Sequence, residues 1–251
     1  LLRAPWLRIR RGAMGQILAI ALIGGAAHFA LIFLGIGLAG DIAPIAIAAQ
    51  LNVPFATLLS VIFLGEVLGF WRAFAVGAAF AGVMLLGFDP AVFEFLDALL
   101  LVAASAFTQA IGFVLMRRIK GIGVFEMQGW MALISAVALA ALTVMVEEEQ
   151  IASMIASGWT GISAVIYNAV AVSLIGHGGM YYLVQRYPVT RVAPLWLMAP
   201  VWGSVGGVLF LGDTLTVTMV VGGIVTLAGV WAITMSQDRA ATETEVGSET
   251  V

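Results

Sequence analysis

Cysteine is absent from the 251 residues, so neither a disulfide framework nor thiol chemistry is available. Charge is scarce, at 10% Asp, Glu, Lys and Arg together, and histidine occurs twice. The apolar spans hold no Asp cluster, no HExxH and no GxSxG. That argues against an intramembrane hydrolase, and no metal or cofactor is expected. No apolar run ends in a secretory cleavage site. What the chain has in excess is hydrophobic residues, 62% of the total, in runs too long and too uncharged for a soluble domain.

The apolar runs set the organisation. Leu1 to Gly12 is a basic arm with Arg3, Arg8, Arg10 and Arg11. Spans are expected over about 13–40, 42–65, 73–88, 96–116, 124–146, 161–184, 192–211 and 217–235, the first long enough for a spanning helix of about 20 residues with some tilt. Ile151 to Thr160, ending near Trp159, reads as an interfacial piece. The tail 237–251 is polar and acidic and is expected to be disordered. The alternation of a barrel is missing, so the fold class is an all-α membrane protein.

Lys and Arg fall only in 1–12, 66–72, 117–123, 185–191 and the tail, while the intervening loops hold acids alone. The positive-inside rule then puts the N-terminal arm and the C-terminal tail in the cytoplasm.

The chain also repeats itself. LSVIFLGE at 59–66 returns as GGVLFLGD at 206–213, and Ala81-Gly82-Val83 returns as Ala228-Gly229-Val230, both at a spacing of 147 residues. Ala43-Pro44 pairs with Ala193-Pro194, and His28 with His177. Gly65-Glu66 falls inside and Gly212-Asp213 outside, so the copies are inverted. Inversion needs an odd number of spans per copy. The later copy, 96–236, has five. The earlier one, 13–95, has three, so the chain is expected to show eight spans of a ten-helix parent.

These residues, with the run IGHGGMYYLVQRYPVTRVAPLWLMAPVWGSVGGVLFLGD from Ile175 to Asp213, resemble the EamA family of the drug/metabolite transporter superfamily. Within it the look is nearest to exporters of amino-acid metabolites of the O-acetylserine/cysteine type. The resemblance implies a bacterial inner-membrane secondary carrier that exports a small metabolite by alternating access. It leaves substrate and oligomeric state open. His177 stands where the family more often has Tyr.

Polar groups in lipid are expensive, roughly 2.5–3.5 kcal/mol for a central charge, so they turn toward the protein interior. Gln50 and Asn52 precede Pro54, which removes a helix hydrogen bond and is expected to leave the Gln50 carbonyl free. They are candidate substrate contacts, against the plainer reading of an interhelical hydrogen bond worth about 0.6 kcal/mol. Gln109, beside Thr108, is a third candidate. His177 lies among Gly176, Gly178 and Gly179 and can bind substrate or carry a proton. His28 is read first as a neutral His held by a backbone carbonyl, with a proton role as the alternative. Tyr181 and Trp196 are candidates for an aromatic wall, or packing residues.

Glu126 opens the fifth span. It is read as a first-turn acid favouring the helix N-terminus, with proton coupling as the bolder alternative. Glu66 and Asp213 are read as structural helix-end carboxylates that cap the following helix. Ala78-x-x-x-Gly82 and Gly203-x-x-x-Gly207 are close-packing surfaces.

The partners expected are a small molecule, the lipid bilayer and protons, with no nucleic acid. A cationic-drug exporter is the rival within the superfamily; it calls for an embedded carboxylate, and Glu126 alone qualifies. A sugar-phosphate carrier would need bases in the cavity. A purely structural membrane subunit has no reason to aim Gln50, Asn52, Gln109 and His177 at one space.

Overall fold

In a computed structural model the chain is described over residues 13–39, 45, 48–86, 96–146, 148–206, 209, 217, 220–229 and 231–232. The described elements are all helical. They are α1 (Met14–Leu38), α2 (Asn52–Leu64), α3 (Phe70–Leu86), α4 (Leu96–Arg118), α5 (Val124–Val146), α6 (Gln150–Tyr167), α7 (Gly178–Arg186), α8 (Val189–Val192), α9 (Met198–Gly206) and α10 (Val220–Gly229). The basic arm, Asp213 and the acidic tail lie outside the described residues.

Among the described residues, four helical stretches are long and apolar enough to cross a membrane: α1, α4, α5 and the continuous run Ile151–Arg186. The other expected spans are represented among the described residues by shorter helices. Gly158 breaks α6 with φ 55° and ψ −145°. That backbone favours glycine, and the break falls inside the stretch read as interfacial, two residues before its expected end at Thr160.

α4 is the central helix, packed against α1, α2 and α7. Small residues let backbones approach: a Cβ on Gly24 of α1 would lie 2.7 Å from the Cα of Gly112 in α4, and the reverse holds equally. Side chains on the outer faces, such as Phe74, Leu133 and Val165, stay exposed as a lipid-facing surface requires. With lipid as apolar as leucine, close packing and interhelical hydrogen bonds hold such a bundle.

α3 and α10 cross in a reciprocal way. A Cβ on Gly82 would meet Thr226, and a Cβ on Gly229 would meet Ala79. Thr226 and Ala79 are 147 residues apart, and the Thr226 hydroxyl lies 3.4 Å from the Ala79 carbonyl oxygen. Gly82 thus packs as Ala78-x-x-x-Gly82 leads one to expect; Gly207 lies outside the described residues.

Two long stretches have the wider π turn: Ile20–Ala27 in α1 and Asn168–His177 between α6 and α7. One ends just before His28 and the other at His177. A π turn loosens the backbone ladder, and such turns gather at functional sites. Ser135 of α5 donates to the Ala21 carbonyl at 3.0 Å, giving that part of the loosened ladder a partner.

Glu66 shows a correction to the sequence reading. It caps a helix, but not the following one. Gly65 ends α2 in the left-handed conformation (φ 66°), and the chain turns there. The Glu66 carboxylate then accepts from the backbone N–H groups of Val189 and Thr190, each at 2.9 Å, at the start of α8. The reach is between the two halves of the chain. α3 follows after a loop and does not receive this carboxylate.

Candidate functional site

The second and seventh apolar stretches break in the same manner. Residues 50 and 51 form a turn before α2, and Ala193–Leu197 is a tight 3₁₀ segment before α9. Pro54 and Pro200 are each the third residue of the helix that resumes. A proline is tolerated in a first turn, where its missing N–H has no partner to lose. The Gln50 carbonyl is not left free, contrary to the expectation from Pro54. It accepts from Val53 N at 3.1 Å, because the turn tightens by one residue.

These breaks, with α1, α4 and the π stretch before α7, enclose a cavity of about 300 Å³. The structure brings to it Gln50, Asn52, Gln109, His28, His177 and Trp196. Sequence reasoning missed Phe29, Ser105 and Asn168, which also line it. Asn168 was accessible by the rule that singled out Gln50, since an amide inside an apolar run has to face protein or a cavity. Ser105 gave no such signal, because a helical hydroxyl can satisfy itself on its own helix.

One side of the cavity is a hydrogen-bonded chain. The Asn52 amide donates to Gln109 Oε1 at 2.8 Å. Gln109 Nε2 donates to His28 Nε2 at 3.1 Å. His28 Nδ1 lies 2.7 Å from Ser105 Oγ and 3.2 Å from the Ser105 carbonyl oxygen. The Ser105 hydroxyl donates to the His28 carbonyl at 2.9 Å. With the amides in this orientation Nε2 accepts, and the imidazole proton belongs on Nδ1. The Ser105 carbonyl is a backbone partner of the kind expected for His28; its link to Gln109 was not foreseen.

The other side is aromatic. His177 sits 6.0 Å from Phe29, 5.9 Å from Trp196 and 6.1 Å from Tyr181, ring centre to ring centre. Its Nδ1–H donates to the Val172 carbonyl at 3.1 Å, within the same helical run. Nε2 is then left as an acceptor. Two smaller or more open spaces adjoin, of about 100 and 410 Å³, and His177 borders both. Tyr181 is buried and lines the smaller one with Gln128, Ser135 and Ser173. Tyr181 is thus next to the main cavity rather than in its wall.

Glu126 lies in the first turn of α5, half-buried, and lines none of these three spaces. Among the described residues, no Asp, Glu, Lys or Arg lines the 300 Å³ cavity. An ion entering alone would lose its hydration without gaining a counter-charge. A ligand whose charges balance internally, or an uncharged polar one, meets donors and acceptors instead.

Residues 96–235, more than half of the chain, match the model of the EamA-like transporter family. A "Probable amino-acid metabolite efflux pump" of Salmonella typhimurium is 30% identical over 138 residues, which is 53% of this chain and 46% of that protein. A protein of the same description from Escherichia coli is 28% identical over 215 residues, 82% of this chain and 71% of its own length. The chain thus spans about half the length of the first relative. A crystallised protein aligns with a TM-score of 0.72 over 93% of this chain and 77% of its own, at 21% identity, a likeness of fold alone.

Proposed function

The chain belongs to the EamA-like transporter family, and from that premise we propose that it exports a small zwitterionic metabolite, an amino acid or a close derivative, by alternating access across the bacterial inner membrane. The observation that carries the substrate class is the cavity of about 300 Å³ with no formally charged side chain among the described residues that line it. Its size is at the lower end for small-molecule sites, about 300–1,000 Å³. The two relatives described as amino-acid metabolite efflux pumps support the same class.

In this reading the cavity lies near the bilayer midplane between two inverted halves, eight spans of ten. The reciprocal crossing of α3 and α10 and the paired breaks before α2 and α9 support a two-fold relation. Discontinuous helices facing a central cavity are how many secondary carriers build their sites. Parts of three loops read as inside, Leu64 to Glu66, Arg117 to Ile122 and Gln185 to Pro188, meet around one space at the same end of the bundle. That clustering supports a single, cytoplasmic face for these loops, and the positive-inside rule assigns both termini to the same side.

His177 is the candidate for proton coupling, because its Nε2 is uncommitted and it borders all three spaces. His28 has both nitrogens engaged. An organic-cation exporter is the second reading. It would place Glu126 in the pathway, and Glu126 lines none of the three spaces around His177.

Counterflow in proteoliposomes tests the proposal. The panel is cysteine, O-acetylserine, threonine, an aromatic amino acid and a quaternary ammonium dye. Exchange of an amino acid, lost in Gln109→Leu, supports the exporter reading. Exchange of the dye alone contradicts it.

A further inference from the structure

A second, quite different cavity lies where the ends of α2, α4 and α7 meet. Among the described residues it is lined by the bases Arg117, Lys120 and Arg186 and by one acid, Glu66, and it holds about 610 Å³. Both oxygens of Glu66 are already engaged by the N–H groups of Val189 and Thr190 at 2.9 Å. The three bases therefore have no free carboxylate among the lining residues to answer them.

The details point the same way. Arg117 donates to the Gln185 carbonyl at 2.7 Å, which fixes its guanidinium at the wall. Arg186 lies over the Tyr182 ring, 3.6 Å from its centre. A stacked guanidinium keeps its in-plane N–H groups for another acceptor. The Gln185 amide nitrogen is buried and makes no hydrogen bond. Gly121, with φ 79°, carries the α4–α5 loop around the space. Donors outnumber available acceptors, and the excess charge is positive.

Bases in a last turn also complement the helix dipole, which accounts for one arginine per helix end. It does not account for three bases and an unsatisfied amide converging on one space. We propose that this cavity binds a phosphate group, carried by the headgroup of an anionic phospholipid or by a soluble phosphate ester. Basic pockets between membrane helices are suited to such groups, and guanidinium groups pair with phosphate more strongly than with neutral acceptors. The site is separate from the central cavity and independent of what the carrier exports.

The test is thermal unfolding of the full chain in detergent micelles, titrated with phosphatidylglycerol, phosphatidylcholine or glycerol 3-phosphate. A ligand that binds only the folded state raises the midpoint saturably. A rise with phosphatidylglycerol alone assigns the site to lipid. A rise with glycerol 3-phosphate as well assigns it to phosphate from either source. In both cases the K120Q/R186Q variant loses the rise, and K120Q alone, on an exposed loop residue, weakens it. The proposal is overturned if neither phosphate compound shifts the midpoint, if phosphatidylcholine shifts it equally, or if the double variant keeps the shift.

Discussion

His28 and His177, which the sequence reading pairs, lie just after one π stretch and at the end of another, and both face the same cavity. Their surroundings differ. His28 is locked into a polar chain of Asn52, Gln109 and Ser105, drawn from two other helices. His177 bonds only within its own helical run and is otherwise ringed by Phe29, Tyr181 and Trp196. One copy of the device makes a fixed polar wall. The other makes an adaptable aromatic one with a spare acceptor. A repeated position therefore does not imply a repeated role.

The largest way to break the comparison is to remove the contact that seats the first π stretch. Gly112→Leu places carbon atoms where the Gly24 backbone lies, and backbone cannot step aside. Overpacking of this kind costs about 1–3 kcal/mol, occasionally more. The expected outcome is loss of the monodisperse folded protein, read by size exclusion and thermal midpoint.

Gln109→Leu comes next. It strips the Asn52 amide and His28 Nε2 of their partner at once. Leaving buried polar groups unsatisfied costs about 1–3 kcal/mol. A lower midpoint and loss of exchange are both expected. The polar wall would have to be judged dispensable if exchange persisted unchanged.

Glu66→Ala tests the support beneath the aromatic side. It removes the cap on α8, the segment that leads to Trp196. Loss of a capping side chain costs about 0.5–2 kcal/mol. Faster amide hydrogen exchange is expected at Val189 and Thr190, with Gln109 and its neighbours unaffected.

His177→Phe has the smallest expected effect on stability, below about 1 kcal/mol, since an aromatic ring replaces an aromatic ring. The same change removes the free Nε2. Exchange is expected to survive with its pH dependence flattened, whereas Glu126→Gln leaves the pH profile as it is. A pH profile untouched by His177→Phe would detach the residue from coupling.

Much of this was legible because lipid makes polar residues conspicuous. Gln50, Asn52, Gln109 and His177 stand out in apolar runs, and the structure gathers them at one cavity. The helical class was equally legible from run length. The partner of Glu66 was not, because it lies more than a hundred residues away and involves backbone N–H groups, which leave no trace in side-chain identity. The π stretches were hidden too: IALIGGAA is as good a pattern for an ordinary apolar helix. Pro54 signalled the break before α2 correctly, yet the fate of the Gln50 carbonyl depended on how the turn tightened. Ser105 was invisible for want of any cost in lipid that its own helix cannot meet.

The central claim is that an uncharged cavity selects a solute whose charges cancel. The most direct measurement is counterflow in proteoliposomes of one amino acid beside its ethyl ester, a cation, and its N-acetyl derivative, an anion. The account predicts exchange of the zwitterion, with both singly charged forms slower by at least about tenfold, which is about 1.4 kcal/mol. Equal or faster exchange of the ester would contradict it and turn the reading toward an organic-cation exporter.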